Sequence, residues 1–83
     1  MSLSANKALL LSDDLPAAPS GKTYQAWTIG EKIRSAGLIH PEDGKASLEF
    51  SGIEEARQVG VTVEPAGGSK RPTSDPFLRF DVA

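Results

Sequence analysis

Lys45-Ala46-Ser47-Leu48-Glu49-Phe50 alternates polar with apolar at every step. A period of two puts Ala46, Leu48 and Phe50 on one face of an extended strand and Lys45, Ser47 and Glu49 on the other, the pattern of a half-buried antiparallel strand. The same period runs through Val59, Val61 and Val63 against Gly60, Thr62 and Glu64, and through Leu78, Phe80 and Val82 against Phe77, Arg79 and Asp81. Three strands therefore have a defined inner face. Residues 7–11, 23–29 and 33–40 are also rich in β-formers, Tyr24 and Trp27 among them, but carry apolar side chains on both faces. Such segments suit the middle of a sheet better than its edge.

The gaps between these segments read as turns. Leu15-Pro16 and Pro19-Ser20-Gly21 separate the first two, Gly30-Glu31-Lys32 has the length of a hairpin loop, and Pro41-Glu42-Asp43-Gly44 offers Pro to start a turn and Gly for a positive φ. Residues 65–76 are long and rich in Gly and Pro, a surface loop between the last two strands and the one loop long enough to suspect of a function. The helical candidate is residues 53–58, where Glu54 and Glu55 would sit near the positive end of a single short turn. About six short strands with regularly spaced turn signals predict an all-β fold, a small antiparallel β-sandwich. A seven-stranded sandwich usually takes about 100 residues. One sheet is therefore expected to be a strand short, with an edge that seeks a partner chain.

Nine Lys+Arg against eleven Asp+Glu give a net charge of -2, which argues against dedicated nucleic-acid binding. The apolar fraction of 39% excludes glycine, and eight glycines bring it into the range of globular chains. A domain of this size buries about 60–65% of its unfolded surface, leaving room for one small core. Cysteine is absent, which removes disulfides, thiolate nucleophiles and cysteine-ligated metal sites. The longest strongly apolar stretch, Ala8-Leu9-Leu10-Leu11, falls far short of the roughly 18–20 residues of a spanning helix. Met1-Ser2-Leu3 lacks the basic-then-apolar organisation of a secretory signal. Residues 1–3 are expected to be an appended leader, and residues 4–83 a single domain cut from a larger protein.

Catalytic constellations are hard to assemble from this chain. Nucleophilic catalysis needs a base near neutrality, and the one histidine, His40, stands at a strand end before Pro41. Asp13-Asp14 and Glu42-Asp43 lack the spaced oxygen ligands of a calcium loop and read as turn residues. Gly67-Gly68-Ser69-Lys70 matches neither phosphate-binding glycine pattern, and no substantial helix follows it. Lys70-Arg71 is a two-residue basic spot of the kind usually solvated. No catalytic residue, metal or cofactor is expected, and the chain reads as a non-enzyme. Trp27 suits a core anchor better than a stacking surface, since it carries the largest apolar area in a small sandwich.

Two segments carry a family resemblance. Gly21-Lys22-Thr23-Tyr24-Gln25-Ala26-Trp27-Thr28-Ile29 with Ser35-Ala36-Gly37-Leu38, and Val61-Thr62-Val63-Glu64-Pro65-Ala66-Gly67-Gly68-Ser69 with Pro72-Thr73, resemble the C-terminal domain of anti-sigma-K factors. The resemblance covers nearly the whole chain from about Ala8. It implies a single-pass membrane protein whose cytoplasmic part binds an extracytoplasmic-function sigma factor, with this β-rich domain on the far side of the membrane. It also implies transcriptional control by regulated proteolysis, with cleavage outside and then within the membrane. The sigma-binding part and the spanning helix are not in this chain, so the membrane and sigma-factor partnerships would belong to the full-length protein. The resemblance implies no zinc here.

The motif residues have physical work of their own. Tyr24 and Trp27 stand three apart and so project to opposite faces of one strand, with Val61 and Val63 free to pack beside the inward ring. Pro65 after Glu64 ends its strand, because Pro cannot donate to the ladder, and Gly67-Gly68 lets the chain reverse. Pro72 and Pro76 stiffen the return. The set Tyr24, Gln25, Trp27, Gly37, Thr62, Glu64, Pro65, Gly67, Gly68, Pro72 and Thr73 is expected to be mainly structural, with an interaction surface as its second use. The competing reading is an envelope binding module that captures a sugar, peptide or protein partner through Trp27 or residues 65–76. A small hydrolase built on His40 is the third. Self-association through an edge strand is a separate expectation.

Overall fold

The computed structural model describes residues 2–4 and 6–82. They form two antiparallel sheets, as the alternation predicts. The strands are β1 (Ser2–Ser4), β2 (Lys7–Ser12), β3 (Lys22–Ile29), β4 (Ile33–Ile39), β5 (Ala46–Ser51), β6 (Gln58–Pro65) and β7 (Leu78–Asp81). The first sheet has the order β1-β2-β5 and the second β4-β3-β6-β7, so one is a strand shorter than the other. β1 spans the boundary drawn between the expected leader and the domain: Ser2 pairs with Leu9 and Ser4 with Lys7.

The core fills the space between the sheets. Ala8, Leu10 and Phe50 from the smaller sheet meet Tyr24, Ala26, Ile39, Val59 and Val61 from the larger, with Leu15 and Ile53 closing the ends. Phe50 and the partly buried Ala46 and Leu48 are the apolar set read from β5, and Val63, Phe80 and Val82 pack against the same core. Full burial of one Val or Leu side chain contributes about 1.5–3 kcal/mol, so this small set carries most of the favourable term.

Three local expectations change. β4 is an edge strand, not a central one. Its two apolar sets are unequal, since Ile39 enters the core while Ile33 stays 51% exposed, and the ladder to β3 slips between Ala26 and Trp27, leaving Ala36 as the extra residue of a bulge. Residues 53–58 contain no helix: a turn with Ala56 N–H donating to the Ile53 carbonyl (3.1 Å) leads into β6 at Gln58. One helical turn makes too few hydrogen bonds to offset its nucleation, while Arg57 N–H finds the Ile29 carbonyl at 2.7 Å. Finally, the turn before β5 centres on Asp43-Gly44, with φ of 52° and 80°, and Pro41 stands outside it. Glu42 and Lys45 exchange both backbone hydrogen bonds, at 2.8 and 2.9 Å. Two consecutive positive φ values make the tight turn that matches strand twist.

Candidate functional site

Thr23, Gln25 and Trp27 of β3 lie opposite Glu64, Thr62 and Gly60 of β6, all on the face of the larger sheet that points away from the core. Alternation alone reads Gly60, Thr62 and Glu64 as solvated. They are buried, because residues 66–77 leave the end of β6, reverse, and run back over this face. The reversal begins with Gly68 N–H donating to the Pro65 carbonyl at 2.9 Å, with Gly67 and Gly68 at φ of 91° and 85°. Gly68 also has no room for a side chain: a Cβ there would come within 2.9 Å of Leu38 Cδ2. Gly60 leaves the space that Pro76 fills, since a Cβ at 60 would lie 3.3 Å from the Pro76 ring.

Two carbonyl-bearing side chains hold the loop down. The Gln25 carboxamide clasps the backbone of Ser69, accepting from Ser69 N–H (2.9 Å) and donating to the Ser69 carbonyl (3.1 Å), while Nε2 also donates to Ser35 Oγ at 2.7 Å. Glu64 accepts from the Thr73 hydroxyl at 2.6 Å and from Thr73 N–H at 3.1 Å to both carboxylate oxygens. Beneath the loop, Trp27 Nε1–H donates to Thr62 Oγ1 (2.8 Å), whose own proton goes to Glu64 Oε2 (2.5 Å). Ser74 Oγ donates to the Val63 carbonyl at 2.8 Å and Phe77 N–H to the Val61 carbonyl at 3.0 Å, completing the return toward β7. Among the described residues no buried side-chain polar atom lacks a partner.

The electrostatics follow from these donors. Burial by itself pushes the Glu64 carboxyl up, because it penalises the charged form, but the hydrogen bonds from Thr62 and Thr73 outweigh it and hold the carboxyl below the usual range. A carboxylate is acceptor-only and an indole N–H donor-only, so the chain from Trp27 through Thr62 to Glu64 has a single proton direction. With Trp27 and Glu64 both 0% exposed, this is a fastening, closed to substrate.

The structure gathers Gln25, Trp27, Thr62, Glu64, Gly68 and Thr73 at this one place, and Pro65, Gly67 and the half-buried Pro72 shape the loop that covers it. Two motif residues lie elsewhere. Tyr24 faces the core, with its hydroxyl donating to the Pro16 carbonyl (2.8 Å) and its ring centroid 5.4 Å from that of Phe77. Gly37 follows the β4 bulge, at a φ of 138°, where a Cβ would meet Leu48 Cδ1 at 3.2 Å. Sequence reading gave Pro76 the stiffening of the return but assigned no part in this site to Ser35, Ser69 or Ser74. Their signal is faint: small polar residues in a long loop, opposite a strand whose outward positions are Thr62 and Glu64.

The other candidates disperse. His40 is exposed after β4, and among the described residues no hydrogen bond engages its imidazole. Asp13, Asp14, Lys70 and Arg71 are exposed on loops, and among the described residues no group of three or more His, Asp or Glu side chains gathers to hold a metal. No helix among the described residues is long and apolar enough to cross a membrane.

Comparison with known proteins bears out the resemblance. The family model described as "Anti-sigma-K factor rskA, C-terminal" matches residues 1–77. A Streptomyces griseus protein named "Uncharacterized protein in phr 5'region" is 45% identical over 87 residues, covering 100% of this chain and 37% of that protein. "Anti-sigma-K factor RskA" of Mycobacterium sp. (strain KMS) is 39% identical over 80 residues, 89% of this chain and 31% of its own length. The protein of the same name from Mycolicibacterium vanbaalenii is 32% identical over 80 residues, 93% of this chain and 34% of its own length. The chain thus spans about a third of the length of these relatives. No solved structure matches it. By the extent of the family match, and by the relatives that share it, this chain belongs to the anti-sigma-K factor C-terminal family.

Proposed function

We propose that this chain is the extracytoplasmic regulatory domain of a single-pass, membrane-anchored anti-sigma factor, and that its folded state governs release of an extracytoplasmic-function sigma factor by proteolysis. The observation that carries the reading is the family match over residues 1–77. On this reading the sigma-binding part and the membrane anchor belong to the remainder of a protein about three times as long. The latched loop supports a gating role. Proteolysis of a folded domain tracks the population of its open form, so a fastening that suppresses local opening also suppresses cleavage nearby. The role is regulatory and asks for no catalysis, cofactor or metal from the domain. The envelope binding module loses its stacking platform, because Trp27 lies beneath the loop with no exposed surface.

The test is Val61→Asp in the full-length protein. Val61 is 1% exposed in the core, so the substitution buries an unpaired carboxylate and unfolds a domain whose total stability is about 5–15 kcal/mol. Constitutive cleavage and raised sigma-dependent transcription are expected. Cleavage unchanged in cells where the domain is demonstrably unfolded would refute the gating.

A further inference from the structure

The sheets present four edges, β1 and β5 in one and β4 and β7 in the other. β4 is interrupted by its bulge, and β5 lies beside β4 where Gly37 meets Leu48. β7 has no bulge, no proline and no lysine between Leu78 and Asp81; what guards this edge is its shortness and the two opposite charges of Arg79 and Asp81. Its backbone orientation can be read from its ladder. Val82 N–H donates inward to the Arg57 carbonyl at 2.9 Å, and Phe80 and Leu78 pair with Val59 and Val61 in the same register. Antiparallel alternation therefore turns the N–H and C=O of Arg79 and Asp81 away from β6. Among the described residues no strand meets them.

We propose that β7 docks a second copy of this chain, edge to edge and antiparallel, with Phe80 facing Phe80 across a two-fold axis. Leu78-Arg79-Phe80-Asp81-Val82 is self-complementary about its centre: apolar, basic, apolar, acidic, apolar. The two-fold at Phe80 sets Arg79 opposite the second copy's Asp81 and Asp81 opposite its Arg79. Those are the positions whose backbone groups point outward, so each pair exchanges both ladder hydrogen bonds. Moving the axis by one residue in either direction sets Arg79 against Arg79 or Asp81 against Asp81, and like charges directly opposite are destabilising. The inner face gains as well. A groove of about 190 Å³ opens between β2 and β7, lined by Leu10, Leu11, Leu48, Leu78 and Phe80, with Leu11 59% and Leu78 37% exposed. A continued sheet places the second copy's Phe80 and Val82 at its mouth. So short a strand buries little area, and interfaces below about 1,000 Å² are transient, so the dimer is weak and concentration-dependent. The inference rests on the fold and is independent of the proposed regulatory role.

The test uses two charge variants of the whole 83-residue chain, Arg79→Asp and Asp81→Arg, followed by sedimentation equilibrium from micromolar to millimolar concentration. Wild type is expected to show a monomer–dimer equilibrium. Each variant alone sets like charges at both symmetric pairs and is expected to dimerise about tenfold more weakly. An equal mixture of the two restores both attractions and is expected to recover the wild-type constant. Circular dichroism of each variant confirms that it is folded, and the mixture serves as its own control because neither component changes. Monomer at every concentration of wild type, undiminished association of the single variants, or no recovery on mixing would each overturn the proposal.

Discussion

Replacing Glu64 by Gln exchanges one oxygen for an NH₂ group and removes the charge on which the outer-face network converges. In the wild type that carboxylate accepts from Thr62 Oγ1 at 2.5 Å, from Thr73 Oγ1 at 2.6 Å and from Thr73 N–H at 3.1 Å. Hydrogen bonds to a charged group contribute about 1.5–3 kcal/mol each and neutral ones about 0.5–1.5. Gln can keep the Thr73 bonds through its remaining oxygen as neutral bonds. Its NH₂ group faces a Thr62 hydroxyl that already accepts the Trp27 N–H, so the Thr62 proton loses its acceptor. One charged bond lost, at about 1.5–3 kcal/mol, and two weakened by about 1 kcal/mol each amount to about 3.5–5 kcal/mol. In a domain of this size that lowers Tm by about 15–40 °C. Trp27 is the only tryptophan and is 0% exposed beneath the loop, so its fluorescence reports this region directly, with circular dichroism reporting the sheets. The pH dependence sharpens the test. Because the Glu64 carboxyl is held below its usual range when folded, its contribution is fully present above the unfolded value of about 4.3 and is lost as pH falls toward the folded value. The Gln variant cannot lose what it lacks, so the gap between the two proteins should be widest near neutrality and should close in acid. A variant as stable as wild type at pH 7, or a gap of equal size at pH 7 and pH 3, would refute the reasoning.

Thr73→Val keeps the side-chain shape but removes the hydroxyl bonded to Glu64, which should cost about 1–2 kcal/mol and loosen the loop before the sheets; acrylamide quenching of Trp27 should rise while amide exchange in β2 and β5 barely changes. Gly67→Ala and Gly68→Ala form a matched pair in chemical denaturation. Both place a side chain at positive φ, costing about 1 kcal/mol, but only residue 68 also meets Leu38, at 2.9 Å, so it should be the more destabilising of the two. Equal effects at 67 and 68 would mean that the loop does not rest on β4 as described.

Much of the sandwich was legible in single strands. The alternation of Ala46, Leu48 and Phe50, and of Val59 and Val61, selects core faces because a pleated strand has only two sides and one must leave water. Spacing likewise sends Tyr24 and Trp27 to opposite faces of β3, where the structure places them. The bulge in β4 was invisible, since it reflects how Ala26 and Trp27 register against a neighbouring strand. So was the failure of residues 53–58 to coil, which was settled when Arg57 N–H met the Ile29 carbonyl.

The candidate site divides in the same way. Sequence alone determined that Thr62 and Glu64 share a face, that Pro65 ends their strand, and that Gly67-Gly68 turns the chain. Only the tertiary structure decided that the face is dry. Binary pattern records the polarity of a side chain and carries no information about a loop that returns over it, so a buried carboxylate fed by several donors looks the same as a solvated one. What converts Glu64 from surface residue to fastening is the docking of Thr73, nine residues further along the chain, and that contact exists only once the loop has closed over Trp27.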